Sequence, residues 1–395
     1  MTLLATDAGR LDARATTGAV GFRVELLHDW KQATARWHEV SPPTPFQHRQ
    51  WYSAWYDAFA GAAGVEPLIA IVTDASTGER AALLPLIRRR HNNITIVEFA
   101  DLDLTDYNAP ILGTAAPRDA RGARVLWRSL LSALRRMSDP ADLVRLRKLP
   151  VDLDGRPNPL ALLHEAGLCS LNGNLITTGE DYDAWRYTLE KTVRKELERS
   201  WRVFTREASA SFAIVTDESE ALRILSTTEV QQGTRMETLG VNFILNDETC
   251  AAFYGNLVRD GVGNGYALVS ALTVGDEVVA TLLGIRNGAR YVMIRISNAG
   301  EKWSNCSPGR LIIERTMAAL HKDGVREFDF SIGNYAYKRR FGVTRLPLID
   351  VSAALSARGW PYALRDRAVR ELRNYPRLDA RLKRVLGKPL SREEN

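Results

Sequence analysis

Residues 303–342 read WSNCSPGRLIIERTMAALHKDGVREFDFSIGNYAYKRRFG, and the order of helix and strand within them decides the fold. Ser307 is placed to cap a helix, Pro308 suits the first helical position, where no amide hydrogen is required, and Gly309 puts no side chain over the backbone. The amides of Gly309, Arg310 and Leu311 are then expected to point outward, and an unpaired helix N-terminus attracts anions through its amides and its dipole. Arg310 adds a full charge beside them, a combination suited to pyrophosphate, although Ser-Pro-Gly is also an ordinary helix start. The helix carries Ile312, Thr316, Ala319 and Leu320 on one face and stops at Lys322, Asp323 and Gly324; a strand from Glu327 to Ile332 follows.

Working outward, three β-rich runs precede that helix. Tyr266 to Val274 and Glu277 to Arg286 are joined by Gly275-Asp276, and Ala289 to Ser297 follows Asn287-Gly288, both two-residue hairpin signals. The same order occurs upstream. Glu66 to Val72 and Arg80 to Arg90 turn at Ser76-Thr77-Gly78, and Ile94 to Phe99, a helix from about Arg118 to Met137 and a strand Asp142 to Arg147 complete it. Duplication is the economical account, but the first copy has ILGTAAPRDARG where the second has its Ser-Pro-Gly start. The anion site therefore belongs to the second copy, and the first is expected to shape the site of the other reactant. Boundaries follow: an N-terminal domain at 20–180, a connecting helix at 181–205, a C-terminal domain at 206–350 and a basic helical tail at 351–395. Trp185, Leu189, Val193, Leu197 and Trp201 lie at helical spacing on the connecting helix, which is expected to pack across the domain junction. Trp51 and Trp55, four apart on another helix, read as core.

SPGRLIIE, then G-x-x-x-FDFSIG, then YKRRFG resembles the GNAT-like group of the cellulose-biosynthesis (CelD/BcsL) type, relatives of the FemAB peptidoglycan transferases. The resemblance runs from about Phe46 to Phe341. It implies an α+β fold of tandem GNAT-like (acyl-CoA N-acyltransferase) domains, each a mixed, mostly antiparallel sheet flanked by helices. It also implies acyl transfer from an acyl-CoA, acetyl-CoA first among them, without settling the acceptor; a sugar, nucleotide-sugar or exopolysaccharide precursor is expected.

Acyl transfer requires a held thioester, a polarised carbonyl, removal of a proton from the nucleophile and protonation of the departing thiolate. Ser307, Gly309, Arg310 and Leu311 are expected at the pyrophosphate. The resemblance makes Ala289 to Ser297 the rail for pantetheine, with Ile296 and Ser297 along it. Asp329 alternates with Phe328 and Phe330, so it either binds a cationic group or faces a cleft. Past that strand, Asn334, Tyr335, Tyr337 and Lys338 sit where loop residues reach a ligand. Lys338 matches the lysine of the YK-x-x-F element, which the resemblance links to substrate binding and transition-state charge; beside Arg339 and Arg340 it also reads as solvated surface. Tyr337 either protonates the thiolate or packs. Asp103, Asp106 and Tyr107, in DLDLTDYNAP, match acidic and aromatic acceptor positions, where carboxylates bind hydroxyls, act as base or cap turns. QQGTRMETLG keeps Arg235 and Gly240 of a family element but has Gln232 where histidine is common.

Composition is compatible. The 395 residues are 45% hydrophobic and 25% charged with net charge +6, ordinary for a globular chain and suited to anionic ligands. Cys169, Cys250 and Cys306 are far apart, and the six histidines are dispersed, so neither disulfide nor metal is expected. No run of about 18 apolar residues occurs, and the N-terminus lacks a leader pattern, so a cytoplasmic, non-spanning protein is expected. GVGNG at Gly261 precedes a strand and reads as a turn, and no Walker A loop, G-x-S-x-G or H-E-x-x-H occurs. DNA is not an expected partner. Arg358 to Lys388 is arginine-rich with Leu364, Ala368 and Leu372 at helical spacing; it either touches an anionic membrane or a synthase partner, or packs on its own domain. Two alternatives stand beside the acyl-CoA reading: an aminoacyl-tRNA donor, as in some Fem-type relatives, and a non-catalytic part of a polysaccharide synthase complex.

Overall fold

Alternating apolar runs bounded by glycine turns build a sheet, and amphipathic segments cover its two faces. The computed structural model describes residues 21–37, 44–240 and 247–373. The first half comprises β1 (Phe22–Leu27), α1 (Trp30–Arg36), α2 (Arg49–Phe59), β2 (Val65–Asp74), β3 (Arg80–His91), β4 (Ile94–Phe99), β5 (Ile111–Leu112), α3 (Ala120–Arg135) and β6 (Leu143–Pro150). A small hairpin, β7 (Asp152–Leu153) and β8 (Arg156–Pro157), leads to β9 (Gly167–Thr177), α4 (Tyr182–Thr188) and α5 (Lys191–Phe204). The second half comprises β10 (Ala210–Val215), α6 (Glu218–Thr238), α7 (Glu248–Gly261), β11 (Ala267–Val274), β12 (Glu277–Asn287), β13 (Arg290–Asn298), α8 (Pro308–Lys322), β14 (Glu327–Asp329) and α9 (Ala336–Arg340). β15 (Thr344–Ala354) and α10 (Trp360–Arg373) close the described chain.

Thirteen strands among the described residues form one sheet in the order β1-β2-β3-β4-β6-β15-β9-β14-β13-β12-β11-β10, with β5 on β3. Each half is an antiparallel meander, a crossover helix and a parallel strand: β4-α3-β6 and β13-α8-β14. The halves then exchange their closing strands. β9 precedes the second half in sequence but pairs with β14, while β15 follows it but pairs with β6, and β9 and β15 meet at the centre. One sheet therefore continues from the first half into the second, and β15 spans position 350.

Helix α2 packs on α7 across the junction, with Trp51 edge-on to Phe253 at 5.0 Å and Gln50 donating to the Asp260 carbonyl at 2.8 Å. Trp51 and Trp55 are fully buried there, each contributing about 2–3 kcal/mol by area. The connecting helix expected over 181–205 is instead two helices. Leu189 and Glu190 are extended between them, and both pack on the second half, where Tyr182 donates to the Glu314 carbonyl and Arg315 lies over Trp201. Among the described residues no helix is long and apolar enough to cross a membrane. Residues 374–388 of the expected tail helix lie outside the described residues.

Candidate active site

The open cleft of the second half lies where β13 and β14 part. They pair only from Arg290–Glu327 to Val292–Asp329. A bulge in the β12–β13 register skips Ile294, and β13 runs on to Asn298 without β14. Ala299 donates its amide to the Val279 carbonyl on β12, so by alternation the backbone groups of Ile296 point to the open edge. That edge is the expected pantetheine rail. The Ile296 carbonyl accepts from Gln232 Nε2 at 2.9 Å, and Gln232 Oε1 holds the buried Arg295 at 2.6 and 3.0 Å. The Ser297 side chain faces the other way, bonded at 2.7 Å to Thr281 Oγ1 and to Gln231 Oε1. Its hydroxyl is therefore a structural bond beneath α6 and does not enter the cleft.

The α8 start differs from the sequence expectation. Ser307 has φ +47°, a left-handed conformation in which its hydroxyl caps no amide; it accepts from Arg310 Nη2 at 3.0 Å instead. Its carbonyl takes the amides of Arg310 and Leu311 at 3.0 and 3.1 Å, so of the three outward amides expected, that of Gly309 is left. Gly309 lies beside Asn298 at the end of β13, and a Cβ there would meet only Asn298 Nδ2, at 3.7 Å. Arg310 is held by Glu196 of α5 at 2.7 Å, which also takes Arg340 at 2.8 Å. These bonds, that of Arg340 foremost, hold the Glu196 carboxyl below its usual range. No motif marks Glu196; it is one of two acids on a basic helix.

Where the halves meet, strand β14 ends at Asp329 rather than Ile332, because Ser331 is left-handed at φ +62° and its amide folds back onto Asp329 Oδ1 at 2.7 Å. Asp329 is fully buried and also accepts from Tyr107 at 2.6 Å and from Arg290. The cationic partner allowed for in the sequence reading is thus Arg290. With three donors satisfied, the carboxylate is committed to positioning the turn. Asn174 of β9 pins the same turn, donating to the carbonyls of Ser331 and Gly333 at 2.7 and 2.9 Å. Lys338 is buried, not solvated surface, and reaches the Ile332 and Ser331 carbonyls at 2.5 and 3.4 Å.

From that turn the Ser331 hydroxyl donates to Asp106 of the first half. Burial pushes the partly buried Asp106 carboxyl up to about 6, against the pull of the Ser331 hydroxyl and then of the Lys148 and Lys338 charges. Lys148 itself pairs with Asp101 at 2.8 Å. Around Lys338, Tyr335 lies under its ammonium at 5.3 Å and stacks on Tyr337 at 6.1 Å. Burial pushes the Tyr337 phenol up to about 12, and exposed Arg235, at the end of α6, draws it back slightly. Asn334 offers its carbonyl to Arg339 at 3.2 Å.

The expected acceptor residues divide. Asp103 lines a cavity of about 320 Å³ with Arg89, Glu98, Asp101, Asn108 and Arg147, whereas Tyr107 is buried outside it and joins Asp329. The cavity sits where β4 parts from β6, the first-half counterpart of the place where β13 and β14 part, and α7 supplies its far wall through Thr249 and Cys250. Asn108 donates to Asp101 and to the Arg147 carbonyl at 2.8 and 3.1 Å, while its buried Oδ1 has no partner. Glu98 pairs with Arg89 at 2.8 Å, yet burial raises its pKa.

Comparison with known proteins agrees with this geometry. Residues 191–339 match the family described as acetyltransferase (GNAT) domain. Among solved structures, FemX is similar over 82% of this chain and 96% of its own, with 10% identity and TM-score 0.53. The C-terminal domain of a putative lysylphosphatidylglycerol synthetase from Agrobacterium fabrum covers 81% and 91%, with 13% identity and TM-score 0.47. A tandem GNAT protein from the clavulanic acid biosynthesis pathway covers 85% and 99%, with 12% identity and TM-score 0.45. No curated protein sequence matches. A mixed sheet with a splayed parallel pair, continued over a crossover helix, is the GNAT fold, and its class of chemistry is acyl transfer. Residues 191–339 match the GNAT acetyltransferase domain, and that match together with the fold indicates an acyltransferase enzyme.

Proposed function

We propose that the protein moves an acyl group from an acyl-CoA, acetyl-CoA foremost, directly to an amine or hydroxyl of a sugar, nucleotide-sugar or exopolysaccharide precursor, in the manner of the CelD/BcsL-type group. The observation that carries this reading is the Asp106 carboxyl, raised to about 6 and joined through Ser331 to the turn held by Lys338. A carboxyl raised to about 6 is mostly ionised at neutral pH and is a stronger base than an ordinary carboxylate, so it is matched to deprotonating a nucleophile. Asp106 takes the proton of the acceptor as its nitrogen or oxygen bonds to the thioester carbon. The carbon–sulfur bond then breaks, and the thiolate takes a proton from Tyr337, whose phenol stays protonated at neutral pH. Lys338 places a positive charge beside this centre, Gly309 and Arg310 face the phosphates, the Ile296 edge meets pantetheine, and the cavity at Asp103, whose lining does not include Asp106, holds the part of the acceptor remote from its reacting group. We place the protein in the cytoplasm.

One observation favours a second reading. Glu196 neutralises Arg310, and Ser307 consumes two amides, so α8 offers a pyrophosphate less than its sequence promised. An aminoacyl-tRNA donor would not need that site. Calorimetric titration with acetyl-CoA and with CoA, alongside Gly309→Glu, separates the two. The Glu side chain fits the open space at Gly309 and repels phosphate. Binding that the variant loses supports the acyl-CoA reading; no binding by folded wild type overturns it in favour of the tRNA donor, which predicts salt-steep RNA binding.

A further inference from the structure

Helix α10 is fixed to the sheet by its charged side. Asp366 takes two nitrogens of Arg145 at 2.7 and 3.2 Å, and buried Arg370 donates to Ser352 Oγ at 2.9 Å. Arg373 reaches the Leu168 carbonyl at 2.7 Å and Asp350 at 3.2 Å, while Tyr362 and Ala363 pack on Ile94, Ile96 and Leu143. A surface helix ordinarily turns its apolar stripe inward. Here the stripe points out.

At 3.6 residues per turn, Trp360, Leu364, Ala368 and Leu372 share one side of the helix; Leu372 is half-buried, and Trp360 and Leu364 rim a groove of about 410 Å³ beside the sheet with Glu165, Ser352 and Ala354. Trp360 is 60% exposed, Leu364 53% and the neighbouring Val369 41%. These are three of the nine exposed large apolar side chains among the described residues, gathered on one helix. Exposed Arg365 and Arg367 flank the stripe on either side, and exposed Arg358 precedes Trp360. Of the two acids, Asp366 is turned to the sheet, so the outward face carries these arginines and Glu371. In the sequence that follows, Arg377, Arg381, Lys383, Arg384 and Lys388 continue the positive charge.

We propose that α10 docks the protein on an anionic phospholipid surface, with Trp360 and Leu364 entering the interface and the arginines at the head groups. An apolar stripe edged by arginine and begun by tryptophan is the composition of an interfacial helix. A two-fold contact with a second copy would set the same arginines against each other, so charge favours phospholipid over self-association. The docking goes beyond the acyl-transfer reading and does not depend on it.

The test is co-sedimentation of the full chain with vesicles of phosphatidylcholine alone and of phosphatidylcholine with phosphatidylglycerol. Binding is expected only to the anionic vesicles and to weaken as salt rises. Trp360→Ser with Leu364→Ser should lower the partition coefficient at least about tenfold at an unchanged thermal melt. Arg365→Gln with Arg367→Gln should lower it about tenfold and flatten the salt dependence. Absence of wild-type binding to anionic vesicles overturns the proposal, as does undiminished binding by both variants. Self-association of the wild type that the Trp360→Ser, Leu364→Ser variant loses would assign the stripe to a second copy and overturn it equally.

Discussion

Tyr107 donates its phenol hydrogen to Asp329 at 2.6 Å, a bond across 222 residues that ties the loop after β4 in the first half to the strand end of the second. Asp329 also holds the Ser331 amide, so this contact and the turn beneath the proposed base share one carboxylate. Tyr107→Phe removes the donor and leaves part of a buried charge unsatisfied. It should cost about 1–3 kcal/mol in stability. Urea denaturation reads this directly, and an unchanged midpoint would show that Arg290 and Ser331 suffice.

Asp106 should set the pH profile. A general base must be ionised, so kcat/KM rises with pH through about 6 and then levels off. Asp106→Asn should lower turnover by about 10²–10⁴ and abolish that limb. A profile that keeps its acid limb in the variant would assign the base elsewhere.

The same raised proton affinity has a stability consequence of opposite sign. Between the ordinary value of 3.8 and about 6 the folded chain keeps a proton that the unfolded chain has lost, so stability falls as pH rises through that window. Asp106→Asn lacks this penalty and should be the more stable protein at pH 7 by on the order of 1–3 kcal/mol. Thermal melts of both proteins at pH 4 and pH 7 give the comparison, and a variant that is less stable at both would contradict it.

If Arg310 meets the donor phosphates as proposed, Glu196 competes with them for it. Glu196→Gln frees Arg310 and Arg340 from their shared carboxylate, and CoA should bind severalfold more tightly, with the gain shrinking as salt screens the charges. Unchanged affinity would place the donor phosphates away from α8.

Lys338→Ala withdraws the buried ammonium from the carbonyls of Ile332 and Ser331. Stability should fall by about 1–3 kcal/mol and kcat/KM should fall with it. Lys338→Arg should not restore activity, because a planar fork does not replace a compact donor in a buried niche. Full turnover in Lys338→Ala would remove the residue from the chemistry.

Much of the secondary structure was legible because its causes are local. Alternation and hairpin turns at Gly275-Asp276 and Asn287-Gly288 mark β11, β12 and β13 to within a residue or two. The Ser-Pro-Gly helix begins at Pro308 as read, yet Ser307 is left-handed and caps nothing, since its conformation follows from the 3₁₀ turn Glu301–Cys306 before it. Glu196, Asn174 and Arg290 leave no signal in the sequence, because each acts on a residue more than thirty positions away and carries no pattern of its own.

The sequence by itself determined the repeated order of strands and helices, the two crossover units and the arginine-rich last helix, all set by side-chain periodicity and turn chemistry within short windows. Only the tertiary structure decided the exchange of β9 and β15, the burial of Lys338 and Asp329, the proton affinity of Asp106 and the outward turn of the α10 stripe. Each of these depends on what lies opposite in space, and periodicity tells which residues share a face but not which face meets the core.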